Sequence, residues 1–315
     1  MFFVINPKSQ NGKTGEKWEK EIKPLLDSNN LKYDFKLTEY RNHATEIVRQ
    51  KIKDGEKFII AVGGDGTFNE VLNGFFENDE IIDPDCVLGF FSSGTGSDTI
   101  KTLGHSKEIS DQIEILKSGI IKKVDVGKAC YVDFDGNKVS RYFINVGDVG
   151  LSGDVVDRVN RTTKRLGGKI SFLIGSIRGI LHHKPVQSTF IFDDDENNKF
   201  EGNLNLAAFA VGKYFGGGMM ICPNAINDDG LLDVVSGIDM GKLRLLKNLK
   251  KIYKGEHLDL EGVTEHQRCK KIKIISESPI FVDLDGEQVG TTEAEFEIIP
   301  GIVSIKTVEK KESDN

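Results

Sequence analysis

The stretch with the clearest chemistry is a glycine loop that follows an apolar run. Phe58–Val62 is apolar throughout, which is typical of a buried strand in a parallel sheet. The next four residues, Gly63–Gly66, contain three glycines and Asp65, and a helical pattern begins at Thr67. A glycine loop between a strand and a helix N-terminus binds anions, because backbone amides and the positive end of the helix dipole face the ligand. We expect that anion to be a phosphate, since an ordinary turn would need neither three glycines nor a carboxylate.

Two other stretches carry carboxylates that suit catalysis or cation binding. Within Phe281–Glu287, one glycine separates Asp285 from Glu287. Residues two apart on a strand share a face, so these carboxylates are expected to meet, and such a pair can make one member a better base. A hairpin with two solvated acids is the alternative. The turn Asp228–Gly230 offers the oxygen ligands that a hard cation requires, although Asp-Gly is also common in ordinary turns.

The glycine loop differs from two widespread phosphate-binding motifs. A Walker A motif ends in Gly-Lys-Ser/Thr, and this loop does not. In the dinucleotide fingerprint the third glycine would fall at position 69, which is Asn69 here. The sequence Gly63–Glu70 instead resembles the Gly-Gly-Asp-Gly-Thr-x-Asn-Glu loop of the diacylglycerol kinase catalytic domain. That family includes bacterial lipid kinases and sphingosine kinases and is distantly related to NAD kinases. The loop is specific for the superfamily and weakly informative about the substrate.

The resemblance extends over almost all of the sequence. Four further segments share it: Ser92–Asp98, Phe143–Gly150, Gly216–Gly218 and Asp285–Glu287. Two positions depart from the family pattern. Ser97 stands where the family has Asn, and Gln10 and Asn11 interrupt the Asn-Pro-x-Ser-Gly type loop before Gly12.

The resemblance also implies roles for individual residues. Glu287 matches the proton acceptor of the family, and we interpret Asp285 as its orienting or magnesium-binding neighbour. In similar bacterial lipid kinases this loop holds a structural magnesium ion. The resemblance implies that the ligands here are the Asp229 side chain and the main-chain carbonyls of Ile226 and Leu231. The residues predicted to bind ATP are Asn6, Lys13, Thr38, Gly63, Gly64, Asp65, Gly66, Thr67, Phe68, Asn69 and Thr95.

Two of these nucleotide-site predictions depend on position along the chain. Thr38 is the last residue of a predicted strand, Tyr33–Thr38, at the edge where ligands bind in open α/β sheets. Lys13 is the predicted phosphate-facing charge, and a solvated loop lysine is an equally good interpretation of it.

The order of the elements predicts two domains. Up to about Val124, strands and helices alternate, which predicts an α/β nucleotide-binding domain with a mainly parallel sheet. Residues 125–299 read as successive strands with one helical interruption at roughly 154–182, which predicts an antiparallel β-sandwich domain. The resemblance implies that this second domain binds the lipid. The family has this arrangement, with the active site between the domains. Residues 300–309 are expected to complete the first domain, and the charged tail 310–315 to be disordered.

Composition narrows the class of protein. With 315 residues, 38% of them hydrophobic and 29% charged, the chain reads as an ordinary globular protein of two domains. The net charge of −7 argues against a general nucleic-acid binder. Four cysteines without CxxC spacing predict unpaired thiols in a reducing compartment, and the N-terminus lacks the features of a signal peptide. We therefore predict a cytoplasmic protein, and the sequence leaves a monomer or a homodimer open.

Two segments suggest contact with a membrane surface. No apolar run approaches the 18 residues of a membrane-spanning helix. Basic residues do interleave with apolar ones in residues 158–181 and in Lys242–Lys254. Such segments can lie on an anionic membrane, although a core-packed helix with a solvated basic face explains them equally well. We predict peripheral association with the membrane.

The predicted function is that of an ATP-dependent lipid kinase. The γ-phosphoryl group of MgATP would pass to a lipid hydroxyl, with diacylglycerol as the first candidate acceptor. Phosphoryl transfer needs positioning, charge neutralisation and a base, which the glycine loop, Mg²⁺ and Glu287 would supply. The alternatives are another lipid such as a sphingoid base, undecaprenol or phosphatidylglycerol, a soluble acceptor as in NAD kinases, and a nucleotide-binding regulator without catalysis.

Overall fold

The structure is a computed structural model that describes residues 1–93, 97–151 and 177–309. The chain divides into two units. Unit 1 comprises Met1–Val124 and the segment from Gly301 onward, and unit 2 comprises Asp125–Pro300.

Unit 1 alternates strands and helices. Its strands are β1 (Phe2–Ile5), β2 (Asp34–Leu37), β3 (Phe58–Gly63), β4 (Phe76–Glu77), β5 (Glu80–Ile81) and β6 (Val87–Ser92). Its helices are α1 (Lys13–Lys17), α2 (Lys23–Ser28), α3 (His43–Lys53), α4 (Asp65–Asn73), α5 (Asp98–Thr102) and α6 (Ile109–Ser118). A π-helical turn, Trp18–Ile22, joins α1 to α2.

The central sheet of unit 1 is parallel, as predicted. Its strands lie in the order β2-β1-β3-β6, and β6 also pairs in parallel with Ser304 and Ile305 of the last strand. Phe3, Trp18 and Phe91 belong to its buried apolar core. Because the strands run in one direction, the loops after β1, β3 and β6 all leave from the same edge of the sheet. This edge is where open α/β sheets bind ligands.

Unit 2 is built mainly from antiparallel strands. They are β7 (Ile120–Val132), β8 (Lys138–Phe143), β9 (Val146–Gly150), β10 (Val186–Phe192), β11 (Lys199–Ala210), β12 (Tyr214–Phe215), β13 (Met219–Met220), β14 (Asp233–Ile238), β15 (Val263–Glu265), β16 (Lys271–Ser276), β17 (Phe281–Leu284) and β18 (Glu287–Thr307). β7 begins and β18 ends in unit 1. One helix, α7 (Lys242–Ile252), lies between β14 and β15.

The strands of unit 2 close into a ring. β9 pairs with β11, β11 with β10, β10 with β16, β16 with β18, β18 with β17, and β17 returns to β9. The side chains of Phe143, Phe190, Phe209 and Phe296 are fully buried in the core of this unit. The predicted antiparallel domain is therefore confirmed, and ring closure makes it a barrel-like sandwich.

Two predicted segments differ from the structure or lie outside its description. The strand expected over Ser140–Val146 is divided at Ile144 and Asn145, because their amides bind a side chain instead of a neighbouring strand. Most of the predicted helical stretch at 154–182, with its basic residues, lies outside the described residues, and residues 177–182 are helical. Within residues 1–93, 97–151 and 177–309, no helix is long and apolar enough to span a membrane.

Candidate functional site

The glycine loop of unit 1 is a very short connection between strand and helix. β3 ends at Gly63 and α4 begins at Asp65, two residues earlier than the predicted start, so Gly64 alone separates them. A Cβ atom on Gly63 would lie 2.5 Å from Thr67 Oγ1. Glycine is therefore required at position 63 because the first turn of α4 packs directly on the end of β3. The N-terminus of α4 consequently lies at the ligand-binding edge of the sheet.

Asp65 connects this loop to the segment that follows β6. Its carboxylate accepts hydrogen bonds from Ser97 Oγ (2.8 Å), from the Asp98 amide (3.0 Å), and from the amide (3.0 Å) and hydroxyl (2.8 Å) of Thr99. These four donors fix the start of α5 beside α4. The observed role of Asp65 is thus to position a second loop, and a direct contact with ATP stays a prediction. Ser97, which replaces the family's Asn, supplies one of the donors.

The loop after β1 is tied to the same place. Asn6 Nδ2 donates to Thr67 Oγ1 (3.2 Å), and the Lys8 amide donates to Asn6 Oδ1 (3.1 Å). Thr14 and Ser93 share a hydroxyl hydrogen bond of 2.6 Å. These two hydroxyl residues were not among the predicted site residues, although each lies in a polar segment that follows a strand of the parallel sheet.

The remaining predicted ATP contacts are placed as follows. Thr38 is buried, and its amide donates to the carbonyl of Ile5 at the end of β1 (2.8 Å). Lys13 is exposed at the first residue of α1. The Phe68 ring is fully buried and packs edge-on against Phe90, so only its main chain can reach a nucleotide. The buried Asn69 side chain accepts a hydrogen bond from Asn73.

Two residues complete the predicted nucleotide site. Gly66 lies in the first turn of α4. Thr95 lies outside the described residues.

In unit 2, the expected arrangement of Asp285 and Glu287 on one strand face is wrong. β17 ends at Leu284, β18 begins at Glu287, and Leu284 pairs with Glu287 across a two-residue hairpin. Asp285 and Gly286 form its turn, with φ of 50° and 83°. Positive φ at both central residues is typical of a type I′ turn, which Asp-Gly sequences favour. The turn, and not a strand face, therefore determines where each carboxylate points.

The Asp285 carboxylate binds backbone amides. It accepts hydrogen bonds from Ile144 (3.1 Å), Asn145 (2.9 Å) and Val146 (3.1 Å), the bend between β8 and β9. Asp285 is buried, whereas Glu287 is half-buried at the start of β18. Three amide donors contact its two oxygens, so Asp285 is placed to position the backbone of this bend.

The same bend joins the other two segments that resemble the family. The carbonyl of Asn145 accepts hydrogen bonds from the amides of Val211 (2.9 Å) and Gly212 (2.8 Å), and its side chain donates to the carbonyl of Tyr214. The following glycines, Gly216–Gly218, all have positive φ, of 60°, 82° and 112°. Unit 2 thus brings the Asp-Gly-Glu hairpin, the Asn145 bend and the start of the glycine run together.

The predicted metal loop is in contact with an arginine, Arg268, that lies 39 residues further along the chain and was not predicted to belong to the site. Asp229 Oδ1 accepts a hydrogen bond from the Leu231 amide (3.2 Å), and Asp229 Oδ2 forms an ion pair with Arg268 Nη2. The same nitrogen lies 3.3 Å from Asp233 Oδ2. Among the described residues, no group of three or more His, Cys, Asp or Glu side chains could hold a metal ion. This arrangement does not fit a magnesium ion bound by Asp229, Ile226 and Leu231.

Two buried carboxylates face each other elsewhere in unit 2. Asp148 of β9 and Asp283 of β17 lie directly opposite in the antiparallel ladder, where side chains of a pair share a face. Burial, and then the charge of Asp283, raises the pKa of Asp148 well above its usual range. This pair is not predictable from the sequence alone, because the register between β9 and β17 depends on the fold.

We expect Asp148→Asn to stabilise the protein at neutral pH. With a raised pKa, the folded protein keeps a proton that the unfolded chain releases above about pH 3.9, so wild-type stability falls as pH rises from there toward the raised pKa. Asparagine does not titrate, so the melting temperature at pH 7 should rise by about 2–4 °C, equivalent to about 1 kcal/mol. Thermal melts from about pH 4 to 8 would measure this.

The exposed Asp135 provides the control, because Asp135→Asn should leave the pH dependence of the melting temperature unchanged. An Asp148→Asn protein with the wild-type pH dependence and a lower melting temperature at pH 7 would contradict the expectation.

The fold and the site define a class. A parallel α/β unit with a glycine loop at its strand ends, joined to a closed antiparallel unit with an Asp-Gly-Glu hairpin, is the architecture that the resemblance implied for nucleotide-dependent kinases. Residues 1–129 match the diacylglycerol kinase catalytic domain, and residues 145–307 match the YegS C-terminal NAD kinase beta sandwich-like domain. The chain belongs to the family that combines a diacylglycerol kinase catalytic domain with a YegS C-terminal domain.

Individual relatives agree with that assignment. "Diacylglycerol kinase" of Mycobacterium tuberculosis is 27% identical over 264 residues, covering 83% of this chain and 80% of that protein. "Probable lipid kinase YegS-like" of Alcanivorax borkumensis is 26% identical over 257 residues, covering 81% and 80%. The crystal structure of a diacylglycerol kinase from Bacillus anthracis str. Sterne superposes with a TM-score of 0.68, at 22% identity, and covers 97% of this chain and 96% of that one. This last comparison supports the fold.

Proposed function

We propose that the protein is an ATP-dependent lipid kinase that transfers the γ-phosphoryl group of MgATP to a lipid hydroxyl. Diacylglycerol is the first candidate acceptor, with phosphatidic acid as the product. The observation that carries the proposal is the N-terminus of α4 at the ligand-binding edge of a parallel sheet, with the loops after β1 and β6 tied to it by Asn6 and Asp65. This loop geometry suits the phosphates of ATP. The relatives named diacylglycerol kinase and lipid kinase support the choice of acceptor.

The proposed reaction assigns different roles to Glu287 and Asp285. Glu287 accepts the proton of the lipid hydroxyl while the hydroxyl oxygen forms a bond to the γ-phosphorus. At the same time the bond between the γ-phosphorus and the β–γ bridging oxygen breaks, and ADP leaves. Asp285 acts as a positioning residue, because its carboxylate holds the amides of the Asn145 bend. Magnesium enters as part of the MgATP substrate and neutralises phosphate charge.

Features around α7 support a lipid acceptor. Leu245, Leu246 and Leu249 face the body of unit 2 and are half-buried. A largely apolar cavity of about 70 Å³ lies beneath the helix, and an open pocket of about 420 Å³ adjoins it, with Asn205, Met240 and Leu245 contributing to both. Together they place apolar surface beside a more polar opening, which suits the polar end of a lipid and the start of its apolar chain.

The test of function is a substrate screen. Purified protein would be incubated with labelled ATP and with mixed micelles of diacylglycerol, a sphingoid base, undecaprenol or phosphatidylglycerol, and the products separated by chromatography. We expect label in phosphatidic acid. Labelling of a different lipid would reassign the acceptor, labelling of soluble acceptors alone would contradict the lipid assignment, and ATP binding without turnover would indicate a regulator.

We also expect α7 to bind anionic membranes. Lys247, Lys250 and Lys251 are exposed, and Leu243 at the start of the helix is 76% exposed. A basic residue near an anionic surface contributes about 1 kcal/mol to binding, so changing the three lysines to glutamate should weaken binding to phosphatidylserine-containing vesicles about 100-fold or more. Vesicle co-sedimentation at low and high salt would measure this, since salt screens the attraction.

The control for α7 is the same charge reversal at exposed lysines elsewhere in unit 2, Lys138, Lys199 and Lys270. Both variants have the same net charge. Equal loss of vesicle binding in the two would show that overall charge, and not α7, attracts the membrane.

A further inference from the structure

We propose that the guanidinium of Arg268 takes the place of a divalent cation in the Ile226–Asp233 loop. Arg268 Nη2 contacts Oδ2 of Asp229 and lies 3.3 Å from Oδ2 of Asp233. One positive group thus links a carboxylate of the loop to the first residue of β14. A bound cation in this loop would supply the same cross-link.

The backbone fixes Arg268 in this position. The next residue, Cys269, exchanges two hydrogen bonds with Leu232: the Leu232 amide donates to the Cys269 carbonyl (2.8 Å), and the Cys269 amide donates to the Leu232 carbonyl (3.2 Å). Leu232 lies directly before Asp233 in the chain. The arginine is therefore held beside the loop by main-chain pairing, and not by its side-chain conformation alone.

The charges in the loop explain why a cation is needed. Asp229 and Asp233 lie close together, and the side chain of Asp233 is only 5% exposed. Without a positive group, two partly desolvated carboxylates would repel each other across the loop. Arg268, with 34% of its side chain exposed, is close enough to both to offset this repulsion.

The same contacts disfavour a magnesium ion at Asp229. One oxygen of its carboxylate already accepts a hydrogen bond from the Leu231 amide, and the other oxygen contacts Arg268. Magnesium requires oxygen ligands at about 2.0–2.1 Å in near-octahedral geometry. An ion at that distance from Asp229 Oδ2 would lie beside the guanidinium, and the two positive charges would repel each other. The arginine and the metal are therefore alternatives for one carboxylate.

The experiment compares thermal stability with and without magnesium, using nucleotide-free full-length protein. Wild type, Arg268→Gln and Asp229→Ala would be melted in EDTA and in MgCl₂ at matched ionic strength. We expect the wild-type melting temperature to agree between the two buffers within about 1 °C. Removing one partner of a partly buried ion pair should lower the melting temperature of Arg268→Gln by about 4–8 °C.

Arg244 provides a matched control, because it also forms an ion pair in unit 2, with Glu261 at 2.9 Å, and that pair is exposed. Arg244→Gln should change the melting temperature by less than about 2 °C. If Arg268→Gln does not fold, Arg268→Lys, which keeps the charge and loses the planar fork, should still show a measurable decrease.

Two results would overturn the proposal. One is a wild-type protein that magnesium stabilises by several degrees, with the effect abolished by Asp229→Ala, since the metal would then bind at this loop. The other is an Arg268→Gln protein that is as stable as Arg244→Gln.

Discussion

Replacing Glu287 with glutamine is expected to lower kcat about 100- to 10,000-fold, the usual effect of removing a general base. Glutamine keeps the size of the side chain and removes its ability to accept the proton of the lipid hydroxyl. Because the substitution leaves the glycine loop of unit 1 unchanged, the Kd for ATP should remain within about 2-fold of wild type. Steady-state kinetics with the acceptor identified by the lipid screen, together with equilibrium ATP binding, would separate these quantities.

Glu293 provides the matched control for Glu287. It is an exposed carboxylate on the same strand, β18, and Glu293→Gln should leave kcat unchanged. If Glu287→Gln retained kcat within a few-fold of wild type, the base would lie elsewhere or no base would be needed.

Replacing Gly64 with alanine is expected to weaken ATP binding about 10- to 100-fold while the fold remains intact. The backbone of Gly64 is extended, with φ −113° and ψ −173°, so alanine can adopt it without strain. Among the described residues, the nearest atom to a new Cβ is Ser9 Oγ, at 3.7 Å, which is an ordinary contact. The methyl group would therefore fit the fold and add bulk at the N-terminus of α4, where the phosphates are proposed to bind. Inserting one methyl group into a packed contact costs about 1–3 kcal/mol, which corresponds to this range of affinity.

ATP titration and thermal melting on the same protein would test the Gly64 prediction. Gly241 is the control, because its backbone is also extended (φ −69°), it belongs to unit 2, and no described atom lies within 4 Å of its Cβ position. Gly241→Ala should bind ATP like wild type. An unchanged ATP affinity in Gly64→Ala would show that the glycine loop is only a tight turn, and the proposed function would lose its main support.

The sequence by itself determined the fold class and the position of the glycine loop between β3 and α4. The apolar run Phe58–Val62 and the glycines after it identify a buried strand, a tight connection and a helix start, all within 17 residues of chain, Phe58–Gly74. Such features can be predicted from the sequence because backbone sterics and hydrophobic periodicity act between residues that are close in the chain. The alternation of elements before Val124 and the successive strands after it likewise predicted the two architectures that the structure shows.

The tertiary structure alone decided which partners the acidic residues have. Asp285 binds amides about 140 residues earlier in the chain, Asp65 binds donors 32 to 34 residues away, and Arg268 reaches Asp229 from 39 residues further on. Asp148 meets Asp283 only because β9 and β17 are neighbours in the closed ring. A sequence motif gives the type and spacing of such groups. Whether a carboxylate becomes a base, a backbone cap or half of an ion pair depends on the groups that the fold brings within hydrogen-bonding distance of it.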